Sequence, residues 1–147
     1  MSRKIDSAKR VISGTWGEIW LDGEYVAEIF KFQAKLSYNK EDVPMVGKMG
    51  VDTKVVSYKG TGSLGMHKVN SRMAVIIGKY ITNGKDMRYT AVSKLDDPDS
   101  YGCERVSISN LSFDDLTVAD WEAAKKGAIE CPFTFADEPQ WLDMIEA

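Results

Sequence analysis

Two stretches that alternate in polarity, Phe30 to Asn39 and Lys54 to Lys68, limit what this chain can fold into more than any other feature. In the first, Phe30, Phe32, Ala34, Leu36 and Tyr38 fall on one face and Lys31, Gln33, Lys35, Ser37 and Asn39 on the other. In the second, Val56, Tyr58, Leu64 and Met66 share one phase while Ser57, Lys59, Thr61, Ser63 and His67 share the other. Side chains repeating every second residue stand on opposite sides of a strand. Each stretch is therefore predicted to be a long strand with one face on a core and the other in water.

Between them lies Glu41 to Thr53, about thirteen residues with no clean period, which is long for a connection inside a compact domain. It is also apolar for a surface loop, carrying Val43, Pro44, Met45, Val46, Gly47, Lys48, Met49 and Val51. Two readings stand at this point. The loop folds back over the core, or it is an arm that hides its apolar residues against another chain.

Other elements follow from local signals. Asp22-Gly23 between Glu18 to Leu21 and Tyr25 to Ile29 predicts a tight hairpin. Ser71 is placed as the N-cap of a helix in which Met73, Ile76, Ile77, Tyr80 and Ile81 share one face, closed by Asn83-Gly84. Met87 to Leu95, Arg105 to Phe113 and Glu130 to Phe135 read as further strands, and Trp121 to Lys126 as a short helical turn. The fold class expected is mainly β (α+β): an antiparallel β-sandwich or half-barrel with one flanking α-helix. At 147 residues, without repeat or linker, the chain is expected to form a single domain over 1–147, with Met1 to Ile12 as a flexible N-terminal arm.

Gly60, Gly62 and Gly65 form a G-x-G-x-x-G spacing, which raises the question of a dinucleotide cradle. Such a cradle ends a buried parallel strand and opens a helix directly, so that the pyrophosphate meets the helix N-terminus. Here the alternation runs on through Leu64 and Met66, and the helix begins only at Ser71. The better reading is a strand bent or closely approached at its glycines. On that reading, Gly62→Val is expected to harm assembly more than monomer folding.

Composition narrows the function by exclusion. Nineteen Lys plus Arg against 22 Asp plus Glu give a formal charge of -3, without the basic excess of a dedicated nucleic-acid binder. Cys103 and Cys131 form no C-x-x-C pair and are expected to be buried or half-buried thiols. His67, the lone histidine, cannot build a multi-histidine metal site. No catalytic residues, cofactor or metal are assigned, and no membrane anchor is expected.

Taken in order, "SGTWGEIWLDGEYVAEIFKFQAKL", "VPMVGKMGVDTKVVSYKGTGS", "HKVNSR", "ERVSISNLSFDDL" and "PFTFADEP" resemble the tail tube proteins of contractile, myophage-like tails, of the type found in PBSX-like defective prophages. The likeness runs from about Ser13 to Pro139. It implies a homo-oligomer of stacked hexameric rings forming a multi-subunit β-barrel tube, a conduit in which DNA is only passing cargo. Tail sheath, tape-measure and baseplate proteins are the implied partners, with assembly in the cytoplasm of the bacterial host and residence in a virion or phage-like particle tail. Long strands would line the lumen with Lys31, Gln33, Lys35, Ser37, Ser57, Lys59, Thr61 and Ser63, and the Glu41 to Thr53 loop would contact neighbouring subunits. The alternatives are a related ring protein, such as a type VI-like tube or a tail terminator, and a nucleotide-binding enzyme using Gly60, Gly62 and Gly65.

Overall fold

The computed structural model describes residues 5–145, without the side chains of Tyr80 and Thr82. Eight strands follow in order: β1 (Gly17–Leu21), β2 (Glu24–Tyr25), β3 (Ile29–Val43), β4 (Asp52–His67), β5 (Tyr89–Leu95), β6 (Glu104–Phe113), β7 (Ala128–Phe135) and β8 (Gln140–Asp143), with helices α1 (Arg72–Ile77) and α2 (Lys79–Asn83) between β4 and β5. They form one antiparallel sheet in the order β2-β1-β5-β6-β7-β4-β3, with β8 added beside β6. The sheet creases at β6, which pairs through Glu104 to Leu111 with β5 and then through Ser112 and Phe113 with β7. Asn110, at φ 58°, sits at the crease, since Asn tolerates the left-handed conformation that such a bend requires. The result is an open sandwich, or half-barrel, around a single hydrophobic cluster.

The β1–β2 hairpin turns on Asp22 and Gly23 at φ 49° and 84°, the positive pair of a type I′ turn. The second strand is shorter than the Tyr25 to Ile29 expected, because Val26 turns inward and is 1% exposed, its N–H bonded to the Ile19 carbonyl at 2.9 Å. The helical segment lies where its apolar period placed it, but Gly78 divides it. Tyr89 Oη donates to the Ile76 carbonyl at 2.7 Å, so that carbonyl is held by a strand at the break. Ser71 makes no side-chain cap; Asn70 Oδ1 accepts the Arg72 N–H at 3.0 Å instead. Trp121 to Lys126 holds only a turn, with Ala124 at φ 63°.

Residues 7–16 run against the β5–β6 loop. The buried Asp97 carboxylate accepts the N–H groups of Ser13 and Asp99, both at 2.9 Å, and the Arg10 guanidinium lies 4.9 Å from the centre of the Tyr101 ring. Met1 to Lys4 of the expected N-terminal arm lie outside the described residues.

The strand glycines explain how the core closes. Gly60 pairs with Phe135 and Gly62 with Phe133 across β4 and β7, and the two rings lie where Cβ atoms of residues 60 and 62 would be. A Cβ on Gly62 would also meet the Gln33 carbonyl oxygen of β3. With glycine there, Phe133 reaches the middle of the core, 0% exposed, stacked on Phe32 at 5.7 Å and edge-on to Phe113 at 6.4 Å. This corrects the expectation that Gly62 matters more to assembly than to folding. Gly62→Ala is expected to lower monomer stability by about 1–3 kcal/mol through overpacking, and Phe133→Ala by about 3–5 kcal/mol through the cavity it leaves. Urea melts of the monomer check both, with the midpoint falling at unchanged slope.

Candidate functional site: a polar sheet face, an open edge and an arm

The register of β3 on β4 places Gln33 opposite Ser63, Lys35 opposite Thr61 and Ser37 opposite Lys59, with Lys31 opposite Gly65 and Asn39 opposite Ser57. The eight residues Lys31, Gln33, Lys35, Ser37, Ser57, Lys59, Thr61 and Ser63 therefore share one face, extended by Glu130 and Thr134 of β7. Lys31 Nζ reaches Glu130 Oε1 at 3.1 Å, so one of the three lysines on this face meets an acidic group on it. The pair is half exposed and contributes little to stability. Its effect is on the charge that the face presents.

On the opposite face Phe32, Ala34 and Leu36 pack against the core, but Phe30 and Tyr38 at the ends of the alternation are exposed. A register shift at Ile29/Lys31 accounts for Phe30, which meets His67 at a ring distance of 4.7 Å. Tyr38 lies where the hairpin has already left the sandwich. β7 covers β4 only from Gly60 to His67, so Asp52 to Lys59 pair with β3 alone. A second shift at Asn39/Lys40 bulges the hairpin there.

Pro44 to Val51 form its tip, where Val46 and Met49 are fully exposed and Val51 is 58% exposed. The loop thus projects from the body and does not fold back over the core. Lys48 donates its N–H to the Met45 carbonyl at 3.3 Å across a turn in which Gly47 takes φ 85°. Among the described residues, none covers Val46 or Met49. Burying each of them is worth about 1.5–3 kcal/mol, which gives the arm reason to find a partner.

β3 is the last strand of the sheet, 15 residues long and hydrogen-bonded on one side only. At the far side of the same polar-faced segment, Ala128 to Cys131 of β7 also pair only with β4. Two unpaired edges thus bound the face, whereas isolated proteins commonly keep edge strands short or covered.

The glycine run lies inside β4, with two phenylalanine rings over it and no helix start beside it, so a phosphate cradle is not built there. No group of three or more His, Cys, Asp or Glu side chains arranged to hold a metal occurs among the described residues. Sequence reasoning missed β8, whose Gln140 to Asp143 are all exposed and therefore carry no burial pattern. It also passed over Trp121 and Val118, 86% and 88% exposed in the β6–β7 loop, where only the rarity of a solvated Trp is a signal.

This open, creased antiparallel sheet resembles solved chains from contractile injection machines. Chains in an extracellular contractile injection system match it with TM-scores of 0.68 for the sheath–tube complex and 0.71 for the sheath/tube terminator, at 12% and 10% identity. These matches cover 97% and 93% of this chain and all of each partner. A likeness at that identity is one of fold. The family comes from the sequence: the model of the phage tail tube protein family matches residues 5–140, and the PBSX phage-like element protein XkdM of Bacillus subtilis is 36% identical over 135 residues, 88% of this chain and 90% of its own. The chain belongs to the phage tail tube family, and it is a structural component of a phage-type tail.

The two thiols differ in shelter, Cys131 being buried and Cys103 half-buried. Cys131 is 4% exposed, and burial, with a smaller effect from Asp115, pushes its pKa to about 11; burial also raises that of the half-buried Cys103. A pKa raised on folding favours the native state below the ordinary thiol value of 9.0 and loses that contribution as pH climbs towards 11. Cys131 is expected to resist alkylation at pH 8 until the chain is unfolded, and to react in the native state only as the pH approaches that range. Mass spectrometry of peptides after timed iodoacetamide exposure reads this directly.

Proposed function

We propose that the chain closes into hexameric rings that stack into the inner tube of a contractile tail, as a mechanical conduit with no catalytic step. The observation that carries the reading is the 15-residue unpaired edge of β3, together with the Ala128 to Cys131 stretch of β7, which pairs with β4 alone. Pairing of one copy's β3 with its neighbour's β7 side removes both edges and turns half-barrels into a continuous wall. The face carrying Lys31, Gln33, Lys35, Ser37, Ser57, Lys59, Thr61 and Ser63 then lines the lumen. Short hydroxyl and amide groups there offer little grip on DNA or tape-measure protein in transit, and Glu130 offsets the charge of Lys31, while Lys35 and Lys59 have no ion-pair partner among the described residues.

The arm, Val43 to Val51, contacts a neighbouring copy, and the outside of the tube meets the sheath and baseplate. Assembly proceeds in the cytoplasm of the bacterial host before the tube takes its place in the particle.

Negative-stain electron microscopy of concentrated protein, with and without a baseplate nucleus, is expected to show rings and hollow tubes of uniform diameter. Single rings that never extend would mark a terminator, and dispersed monomers in both conditions would refute the conduit. Met45→Asp together with Val46→Asp is expected to abolish tubes while the monomer melt stays within about 0.5 kcal/mol of the parent, because both side chains are exposed. Normal tubes from that variant would remove the arm from the assembly contact.

A further inference from the structure

Among the grooves on the described surface, three differ in charge, and one of them is lined by acidic residues without a basic one. A groove beside β1 and β3 sets Lys31 and Lys94 against Glu18, and another at the mouth of the sandwich sets Lys35 against Glu104. The third, between the helices and the loop after β6, has an apolar floor that includes Ile77, Met87, Phe113 and Leu116, and a rim of Asp86, Asp114 and Asp115 with no basic residue. Asp86 is paired with Arg88 at 2.7 Å. Asp114 and Asp115 are exposed and have no ion-pair partner among the described residues.

The arm tip has the complementary character. From Pro44 to Val51 its only charged residue is Lys48, flanked by Met45, Val46 and Met49. Lys48 likewise has no ion-pair partner among the described residues.

The two surfaces also lie at opposite ends of the sheet. β4 runs from the arm towards α1, and Thr61 of β4 is level with Thr134 of β7 and Ser112 of β6. The Asp114 N–H then bonds the Pro132 carbonyl at 2.9 Å, so the chain from 112 to 116 heads away from the arm. The strand distance from Asp52 to the level of Asp114, near Ser63, is about 35 Å at a rise of about 3.3 Å per residue. One copy cannot fill its own groove with its own arm.

We propose that the acidic groove is the receptor for the arm tip of a second copy of this chain, Lys48 meeting Asp114 and Asp115 while Met45, Val46 and Met49 cover the apolar floor. Donor and receptor at opposite ends make the contact head-to-tail, so each copy offers a fresh surface after binding and the stack stays open to growth. The inference rests on the arm contacting a neighbour, and it names where on that neighbour.

The test compares four proteins: the parent, Lys48→Glu, the pair Asp114→Lys with Asp115→Lys, and all three changes together. The readout is the critical concentration for tubes, by pelleting and electron microscopy, with monomer melts alongside to show that each variant is folded. Either one-sided change is expected to raise the critical concentration about tenfold or more, and the combination to return it to within about threefold of the parent, because opposed charges exchanged across one contact attract again. Covalent ladders on oxidation of Met49→Cys with Leu116→Cys are expected as well. Parent tubes alongside unaffected one-sided variants, or a combination no better than its parts, overturn the groove and leave the tube reading standing. A parent that forms neither rings nor tubes, nucleated or not, overturns both.

Discussion

The absence of side chains at two positions of β4 is the constraint on which the rest of the structure depends. The Phe135 ring lies over Gly60 and the Phe133 ring over Gly62, and in that space they tie β7 to β4, β3 and, through Phe113, to β6. A strand glycine ordinarily weakens a sheet, because it packs nothing and frees the unfolded backbone. Here the ring of the neighbouring strand supplies the missing apolar surface. The same arrangement keeps the polar side of β4 undisturbed, since both rings lie on the core side and leave Thr61 and Ser63 on the other. One packing solution therefore fixes both the core and the orientation of the polar face.

Much of this was legible in the residue order. The period-two runs gave β3 and β4 and sorted their faces, because a half-buried strand has to alternate. Asp22-Gly23 marked its turn, since the left-handed pair there suits few other residues. The loop's apolar content marked the arm, although its direction, away from the core, came only with the structure. The broken context of the glycine spacing argued against a phosphate site, and the packing of Gly60 and Gly62 gives the positive reason.

What stayed hidden depends on contacts between distant segments. Gly78 breaks the helix where Tyr89, thirteen residues beyond Ile76, takes its carbonyl, and no local propensity records that bond. The residue that caps the helix differs by one from the better-looking serine: Ser71, at φ -100° and ψ 27°, lacks the extended backbone of an N-cap, and Asn70 accepts the Arg72 N–H instead. β8 is exposed along its length, so burial leaves no imprint on its sequence. The Lys31 and Glu130 pair joins residues 99 positions apart, a contact that no local pattern in the sequence records.

The crease at β6 has a mechanical meaning. A sandwich built from two separate sheets opens like a book, with only side-chain packing to resist the prying. Here β6 belongs to both halves, and the hydrogen-bond ladder passes unbroken from β2 to β3. A load applied along the edge of β3 passes through β4 and β7 and reaches β6 by the short ladder at Ser112, Phe113 and Asp114. That junction is the narrowest link in the path, so the two halves part there before the longer ladders yield.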